Sequence, residues 1–192
     1  MAERGFSLIE LMLVLALAAT LAVVAIPVST TTLDEFRARS AARHLAQHVA
    51  RLRTEAVKRS TFVGLRFTAN GSDYSYATYV DGNGNGVRTA DITSGADPQT
   101  RGAEMLAWNF PGIRFGIGPG IPDADGQPVT SPDGVRIGSA RILSLNPNGS
   151  ATSGTLYLMS AHGAQYAVRV LGATGRTRVL KFDRVTNRWI AQ

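Results

Sequence analysis

An almost unbroken apolar run near the amino terminus constrains this chain more than any other feature. From Leu11 to Ile26 every residue is apolar except Thr20, and the apolar residues just before bring the run to about 21. Its Leu, Ala and Met residues favour helix, and neither Gly nor Pro interrupts it before Pro27. About 20 apolar residues in a helix span the hydrocarbon core of a bilayer. The run therefore predicts a transmembrane helix.

Two simpler explanations of the run are a secretory signal peptide and a plain membrane anchor. A signal peptide has a shorter apolar stretch, a stronger basic start than "MAER" and a small-residue cleavage site. A plain anchor fits better, and Arg4 on its short side would place that end in the cytoplasm. Glu10 argues against it, because a carboxylate inside a membrane costs about 2.5–3.5 kcal/mol and indicates a function. The cost is lower if Glu10 lies near the end of the span, where its side chain can reach the membrane interface.

The stretch "GFSLIE" resembles the type III signal of type IV pilins and type II secretion pseudopilins. It has the short charged leader "MAERG", the Gly5–Phe6 junction, Glu10 at the fifth position after it, and Pro27 near the end of the apolar run. The resemblance implies that prepilin peptidase cleaves after Gly5 and that Phe6 becomes the N-methylated first residue. It also implies that Glu10 pairs with the terminal amine of a neighbouring subunit, so that Glu10 is an assembly residue.

A second helical stretch is predicted from Leu33 to about Arg59. Thr32 and Glu35 have the spacing of a capping box at its start. In pilin-like proteins the two helical stretches form one long helix, and its second half packs on a sheet. Apolar residues near a 3.6-residue period predict one buried stripe: Leu33, Phe36, Leu45, Val49, Leu52 and Ala56.

From Ser60 onward, short β-type runs alternate with turns rich in Gly, Asn and Pro, which predicts antiparallel sheets. Residues 118–134, rich in Gly, Pro and Asp, predict a long exposed loop. The predicted fold is α+β and pilin-like, with a long N-terminal helix packed on a C-terminal antiparallel β domain of two small sheets. The predicted strands are 61–68, 74–80, 104–110, 112–117, 134–137, 141–145, 155–159, 166–171 and 176–182. The predicted segments are a leader (1–5), a transmembrane and assembly helix (6–28), an amphipathic helix (29–60) and a β-rich globular domain (61–192).

The charge is unevenly distributed and favours a polyanionic partner at the carboxyl end. The chain has a net charge of +6, and residues 136–192 carry eight Lys or Arg against the single acid Asp183, a net +7. Residues 61–135 carry four Arg against eight acids, a net −4. The sequence has no Cys, which excludes disulfides and thiolate chemistry.

The carboxyl-terminal basic residues are candidates for binding nucleic acid. Arg176 and Arg178 project to one face of a strand, because the side-chain period is two, and two guanidinium groups suit phosphate oxygens. Tyr166 and Trp189 could add base stacking. The alternative is that these charges protect an exposed sheet edge from aggregation. The candidate DNA-binding residues are Arg169, Arg176, Arg178, Lys181, Arg184 and Arg188.

The carboxyl-terminal half, "LNPNGSATSGTLYLMS…YAVRVLGATGRTRV", resembles the FimT/GspH branch of minor pilins and pseudopilins. A Gly-Arg-x-Arg element closes the domain in that family, and "GRTR" (175–178) fits it. In the FimT subset this element is associated with non-specific DNA binding during natural transformation. In the GspH subset the protein lies near the tip of the type II secretion pseudopilus and binds other minor pseudopilins. A third hypothesis is a membrane-anchored β domain that never polymerises.

Two further groups of residues have the spacing of possible metal ligands. Asp81, Asn83 and Asn85, followed by Gly86, resemble the start of a calcium loop, but the twelfth position is Ile92 and not Glu. A hairpin turn is the simpler interpretation, because Asn-Gly is a strong turn signal.

His44 and His48 are four residues apart on the predicted helix, and no third metal ligand is evident. The sequence shows no phosphate loop, nucleophile elbow or paired carboxylates, so we expect neither an enzyme nor a cofactor. The expected partners are other pilins, prepilin peptidase, DNA and the inner membrane. The expected location is the inner membrane, crossed once, with the carboxyl-terminal domain in the periplasm, and then a pilus or pseudopilus filament.

Overall fold

The computed structural model describes residues 7–192, except for the side chains of residues 22–30. The chain begins with one long helix, α1 (Leu8–Arg59), and continues with strands and two short helices. These elements are β1 (Val63–Asn70), β2 (Asp73–Val80), α2 (Thr89–Ser94), β3 (Gln99–Met105), α3 (Leu106–Asn109), β4 (Ile113–Phe115), β5 (Val135–Arg136), β6 (Ile142–Leu145), β7 (Gly154–Ser160), β8 (Gln165–Leu171), β9 (Arg176–Asp183) and β10 (Arg188–Ala191).

Both ends of α1 are capped by local contacts. Ser7 is the N-cap residue and forms a capping box with Glu10, which satisfies backbone N–H groups that a helix start leaves unpaired. Ser60 ends the helix in the left-handed conformation, at φ 51° and ψ 34°. The capping box predicted at Thr32 and Glu35 is wrong, because Thr32 lies inside α1 and begins no helix.

The first part of α1 exposes its apolar side chains. Large apolar residues from Leu8 to Leu21 are exposed, Leu8 at 77%. Among the residues that the structure describes, no helix has an apolar stretch sufficient to cross a membrane. The predicted leader and Phe6 lie outside the described residues, as do the side chains of residues 22–30.

The strands form two antiparallel sheets. The first sheet has the order β3-β2-β1-β6, and the second has the order β10-β9-β8-β7-β4, with β5 pairing with β7 beside β4. This arrangement, with α1 packed on both sheets, confirms the predicted α+β fold of one long helix and two small sheets.

The main core lies between α1 and the two sheets. Small residues such as Ala38, Ala41 and Ala42 are fully buried, which brings the helix backbone close to the strands. Leu45, Val49, Leu52 and Ala56 follow on the same helix face, and each large apolar side chain buried contributes about 1.5–3 kcal/mol.

The predicted stripe on α1 is wrong at its first two positions. Leu33 and Phe36 are exposed, at 48% and 66%, whereas the continuously buried face begins at Ala38. A 3.6-residue period identifies one face of a helix, but it does not show where the packed strands end.

A second apolar cluster lies on the face of the second sheet that points away from α1, which we call the outer face. Tyr157, Ala167 and Phe182 project from this face and pack against Ile117 and Ile121. Ile121 belongs to the covering loop, residues 118–134, and is 7% exposed. Residues 118–134 thus form a loop, as predicted, but only part of it is exposed, because Ile121 packs on the sheet.

Four elements differ from the sequence predictions: α2, α3, β3 and β10. The predicted strand 104–110 is wrong, because β3 ends at Met105 and α3 follows at once. The strands β3 and β10 and the helix α2 were not predicted over most of their lengths. Strand β3 is polar, largely exposed and at a sheet edge, so its sequence has none of the apolar alternation that indicates a strand.

Candidate nucleic-acid interface

The strand register brings three arginines into one line across the outer face. Arg178 on β9 pairs with Arg169 on β8, and Arg169 pairs in turn with Thr155 on β7. Thr155 also pairs with Arg136 on β5. Directly paired residues of antiparallel strands project to the same face. Arg136, Arg169 and Arg178 therefore form a row, which we call the arginine row.

Arg176 and Arg178 have free guanidinium groups. Both side chains are exposed, and neither forms an ion pair with a residue that the structure describes. They project to the same side of β9, as their spacing predicts, because they are two residues apart. Two unpaired guanidinium groups on an exposed strand face present several N–H donors to a phosphate ligand.

The turn before these arginines requires glycine. Gly175 has a φ of +60°, and its N–H donates a hydrogen bond of 2.7 Å to the carbonyl oxygen of Leu171. A Cβ atom at this position would lie 2.4 Å from the carbonyl oxygen of Gly149. The glycine of "GRTR" thus starts β9 in a position that no side chain can occupy.

Lys181 lies on the other side of β9 from the arginine row. It pairs with Glu35 of α1, and the hydrogen bond to Glu35 raises the pKa of Lys181. This contact joins the helix to the sheet. Lys181 therefore does not extend the surface formed by Arg176 and Arg178.

The structure also separates Arg184 and Arg188 from the arginine row. Arg184 follows β9, and its Nη2 donates a hydrogen bond of 2.9 Å to the carbonyl oxygen of Gly163. Arg188 pairs with Asp183 in the register of β9 and β10, which places it on the same face as Lys181. Of the six residues proposed from the sequence, only Arg169, Arg176 and Arg178 share the outer face.

The predicted aromatic contribution to this surface is wrong. Tyr166 is 1% exposed and faces α1, so it cannot stack on a base. The Nε1 of Trp189 donates a hydrogen bond of 2.9 Å to the carbonyl oxygen of Pro122. The Trp189 ring packs 5.5 Å from the Tyr157 ring and 5.3 Å from the Phe182 ring, between ring centroids, and so belongs to the second apolar cluster.

A groove of about 460 Å³ borders the arginine row on the side of the covering loop. Asp123 and Asp125 line it from the loop, and Arg136 and Arg169 line it from the sheet. The Arg169 Nη1 lies 2.8 Å from the Asp125 Oδ1. Neither Arg136 nor Asp125 is predicted as a site residue from the sequence, because only the register of β5 and the path of the loop bring them to Arg169.

Asp81 organises the loop after β2. Its Oδ1 accepts hydrogen bonds from the backbone N–H groups of Asn83 (3.1 Å) and Gly84 (2.8 Å), and its Oδ2 accepts one from Gly86 (2.8 Å). Burial alone would raise its pKa, but these backbone hydrogen bonds outweigh burial and hold the pKa of Asp81 below its ordinary value. Asp81 thus has a structural role in a turn, and calcium binding at Asp81, Asn83 and Asn85 stays a prediction.

Asp97 supports the same loop from its other end. Its two carboxylate oxygens accept hydrogen bonds from the N–H groups of Gly82 (3.2 Å) and Arg88 (3.0 Å).

Among residues 7–192, leaving aside the side chains that are not described, no group of three His, Asp or Glu residues could hold a metal ion.

His44 and His48 face the core on α1 and contact aromatic rings. The centroid of the His44 ring lies 5.5 Å from that of Phe110, and the centroid of the His48 ring lies 5.8 Å from that of Tyr76. The Nε2 atoms of both histidines are buried without a hydrogen-bond partner among the described residues. Burial, together with nearby positive charges, lowers the pKa of His48 to about 4. His48 is thus a neutral core residue at ordinary pH.

Glu10, the predicted assembly residue, lies within the part of the chain that the structure describes. Its carboxylate accepts hydrogen bonds from the backbone N–H of Ser7 (3.0 Å) and from the Ser7 hydroxyl (3.1 Å). The Ser7 Oγ accepts the N–H of Glu10 at 3.3 Å. Gly5 and Phe6, the predicted cleavage and methylation positions, lie outside the described residues.

A long N-terminal helix packed on two antiparallel sheets is the fold expected for a pilin or pseudopilin. The family model described as "Type II transport protein GspH" matches residues 41–175, and the model of the prokaryotic N-terminal methylation motif matches residues 1–26. The chain therefore belongs to the GspH family.

Two individual proteins are also similar to this chain. The pilin-like protein PilA1 of Thermus thermophilus is 40% identical over 88 residues, which cover 44% of this chain and 53% of that protein. The match thus spans about half of the length of this relative. The solved structure of the minor pseudopilin EpsH from the type 2 secretion system of Vibrio cholerae is 16% identical. The aligned region covers 76% of this chain and 97% of the EpsH chain, with a TM-score of 0.45.

Proposed function

We propose that this chain is a minor pilin that enters a type IV pilus and binds DNA non-specifically for uptake in natural transformation. Membership of the pilin and pseudopilin class follows from the family and the fold. One observation carries the DNA proposal: Arg176 and Arg178 lie side by side on the outer face, exposed and without a carboxylate partner among the described residues.

The physical argument rests on unpaired guanidinium groups. Arg169, paired directly with Arg178, extends the same surface. An arginine without an intramolecular partner can bind phosphate without first breaking an ion pair. Binding of this kind releases counterions from DNA, depends strongly on salt and does not distinguish sequences.

The amino terminus supports assembly into a filament. In this proposal, prepilin peptidase cleaves after Gly5 and Phe6 is methylated, as in proteins that carry the methylation motif. The exposed apolar residues from Leu8 to Leu21 would lie in the inner membrane before assembly, with the carboxyl-terminal domain in the periplasm. Glu10 would then pair with the amine of a neighbouring Phe6 as the helix enters the filament.

The alternative proposal is a minor pseudopilin of a type II secretion system, near the pseudopilus tip and without a DNA role. The family model that covers most of the chain carries a type II transport description, which favours this alternative. The two proposals share the fold, the leader and assembly through Glu10. They differ in the role of the exposed arginines.

DNA binding by the full chain in detergent separates the two proposals. The double variant R176A/R178A should reduce the slope of log affinity against log salt by about 1.8, since each phosphate contact contributes about 0.9. The matched control is R39A/R43A, which removes two arginines from α1 that form no ion pair with described residues. Equal losses in both double variants would contradict a local site. Absence of DNA binding by the natural chain at low salt would favour the secretion alternative.

A further inference from the structure

The groove beside the arginine row contains an ion pair that contributes little to the fold. The Arg169 Nη1 and the Asp125 Oδ1 are 2.8 Å apart, with the two side chains 34% and 64% exposed. Exposed pairs of this kind contribute little to stability, because both charges remain solvated and are screened by salt. The carboxylate can therefore be exchanged for another anion at little cost.

We propose that Arg136 and Arg169 form a second phosphate-binding subsite for DNA, and that Asp125 occupies this subsite in the free protein. The inference rests on the proposed function and extends it to residues outside the "GRTR" element. In the bound state, a phosphate group of the DNA backbone replaces the Asp125 carboxylate on Arg169. The covering loop thereby lowers the affinity of the outer face for DNA.

The spacing of the arginine row suits the backbone of a nucleic acid. Arg136, Arg169 and Arg178 belong to strands β5, β8 and β9, with β7 between the first two. Neighbouring strands lie about 4.8 Å apart, so the row spans roughly 14 Å. The row is several times longer than the axial rise of about 3.4 Å per phosphate of one DNA strand, so it can reach more than one phosphate. A backbone that follows the row can contact all three arginines.

Arg136 is positioned without a carboxylate. Its Nε and Nη2 donate hydrogen bonds to the carbonyl oxygens of Asp133 (3.4 Å) and Ser131 (3.2 Å), and its guanidinium lies 5.8 Å from the centroid of the Tyr157 ring. These contacts orient the group and leave its full positive charge at the groove. Arg136 is thus oriented at the groove and forms no ion pair of its own with a described residue.

Several hydrogen bonds of the covering loop do not involve the Asp125 carboxylate. The Asp123 Oδ1 accepts the N–H groups of Asp125 (2.9 Å) and Gln127 (2.8 Å). The Tyr157 hydroxyl accepts the N–H of Ala124 at 2.9 Å. Among these loop contacts, a change of the Asp125 side chain therefore removes only the ion pair to Arg169.

The test measures how tightly the full chain in detergent binds a short labelled DNA duplex. It compares D125N with a control variant that changes the net charge by the same amount. We expect D125N to bind about threefold to tenfold more tightly at low salt, because one competing charge is removed from Arg169. The control is E55Q, which also removes one acid and frees one arginine, since Glu55 pairs with Arg59 at 2.9 Å on α1. E55Q should change affinity by less than about twofold. In an R169Q background, D125N should lose its effect, because the pair no longer exists.

The outcomes separate this inference from the proposed function. Equal effects of D125N and E55Q, with binding still dependent on Arg176 and Arg178, would overturn the inference and leave the proposed function intact. Failure of the natural chain and of D125N to bind DNA at low salt would overturn both. Binding to vesicles of anionic lipid without binding to DNA would also count against both. Unchanged thermal unfolding of D125N would exclude a change in the stability of the domain as the source of a gain in affinity.

Discussion

The Nε of Arg53 donates a hydrogen bond of 2.7 Å to the carbonyl oxygen of Gly149, and this pair joins the last turns of α1 to the turn after β6. The two groups also limit the space around Gly175. A Cβ atom at Gly175 would lie 2.4 Å from the Gly149 oxygen and 2.8 Å from the Arg53 Cδ and Nε. The start of the "GRTR" strand is thus packed against the helix through a glycine.

Gly175→Ala should therefore destabilise the domain by about 2–4 kcal/mol, through the left-handed backbone and through the displaced Gly149 carbonyl. Chemical unfolding measures the loss. The matched control is Gly71→Ala, because Gly71 has almost the same φ, +61° against +60°, and no atom within 4 Å of the added Cβ. The control should lose only about 1 kcal/mol. Equal losses would show that the Arg53 and Gly149 contact is not what excludes a side chain.

The side-chain period of two along a strand also applies to Lys181. Residues on one face of a strand are separated by an even number of positions, so closeness in the chain alone does not place Lys181 with Arg176 and Arg178. Lys181 is three residues from Arg178, and the structure places it toward Glu35 of α1. The period of two correctly places Arg176 and Arg178 on one face of the strand, and it places Lys181 on the opposite face.

Other parts of the candidate site could not be obtained from the sequence. Arg136 and Arg169 meet at the groove only through the register of β5, β7 and β8, and local patterns do not specify which distant strands pair. Trp189 illustrates the same limit. Its ring packs against Phe182 and the covering loop, although its sequence neighbours Arg188 and Ile190 are exposed. By contrast, the fold class depends on long patterns, the helix and the repeated short strands, and was predicted.

Lys181→Ala should leave the salt dependence of DNA binding almost unchanged, because Lys181 contacts Glu35 on the far side of β9. Arg178→Ala should lower the slope of log affinity against log salt by about 0.9. The pair with Glu35 is exposed, so its loss should cost no more than about 1 kcal/mol of stability. A Lys181→Ala slope that falls as far as that of Arg178→Ala would contradict the separation of the two faces.

The stability of the domain should fall as the pH falls from about 6.5 to about 4, because His48 is buried and neutral. Burial, with the charges of Arg51, Arg101 and His44, lowers the pKa of His48 in the folded chain from 6.5 to about 4. The unfolded chain binds this proton more readily, so protonation favours unfolding. The contribution is complete above pH 6.5 and is lost toward pH 4, up to about 3 kcal/mol. Chemical unfolding followed by tryptophan fluorescence at both ends of this window measures it.

The matched variant for this pH dependence is His48→Gln, which stays neutral throughout the window. It should be less stable than the natural chain above pH 6.5, because it changes a buried side chain in contact with Tyr76. Between pH 6.5 and 4 its stability should fall less steeply than that of the natural chain. Parallel curves for the two proteins would show that another group causes the acid destabilisation.

The capping box of Ser7 and Glu10 allows the charge of Glu10 to be tested separately from its hydrogen bonds. Glu10→Gln keeps an acceptor for the Ser7 N–H, since Gln also serves at this position of a capping box, but it removes the negative charge. Ser7→Ala keeps the charge and removes the cap, at a cost of about 1 kcal/mol to the helix start. If Glu10 pairs with the Phe6 amine of a neighbour, Glu10→Gln should be cleaved normally and fail to enter filaments, whereas Ser7→Ala should enter them. Counting each variant in sheared filaments measures incorporation. Incorporation of Glu10→Gln with loss of Ser7→Ala would instead show that Glu10 acts through the helix cap.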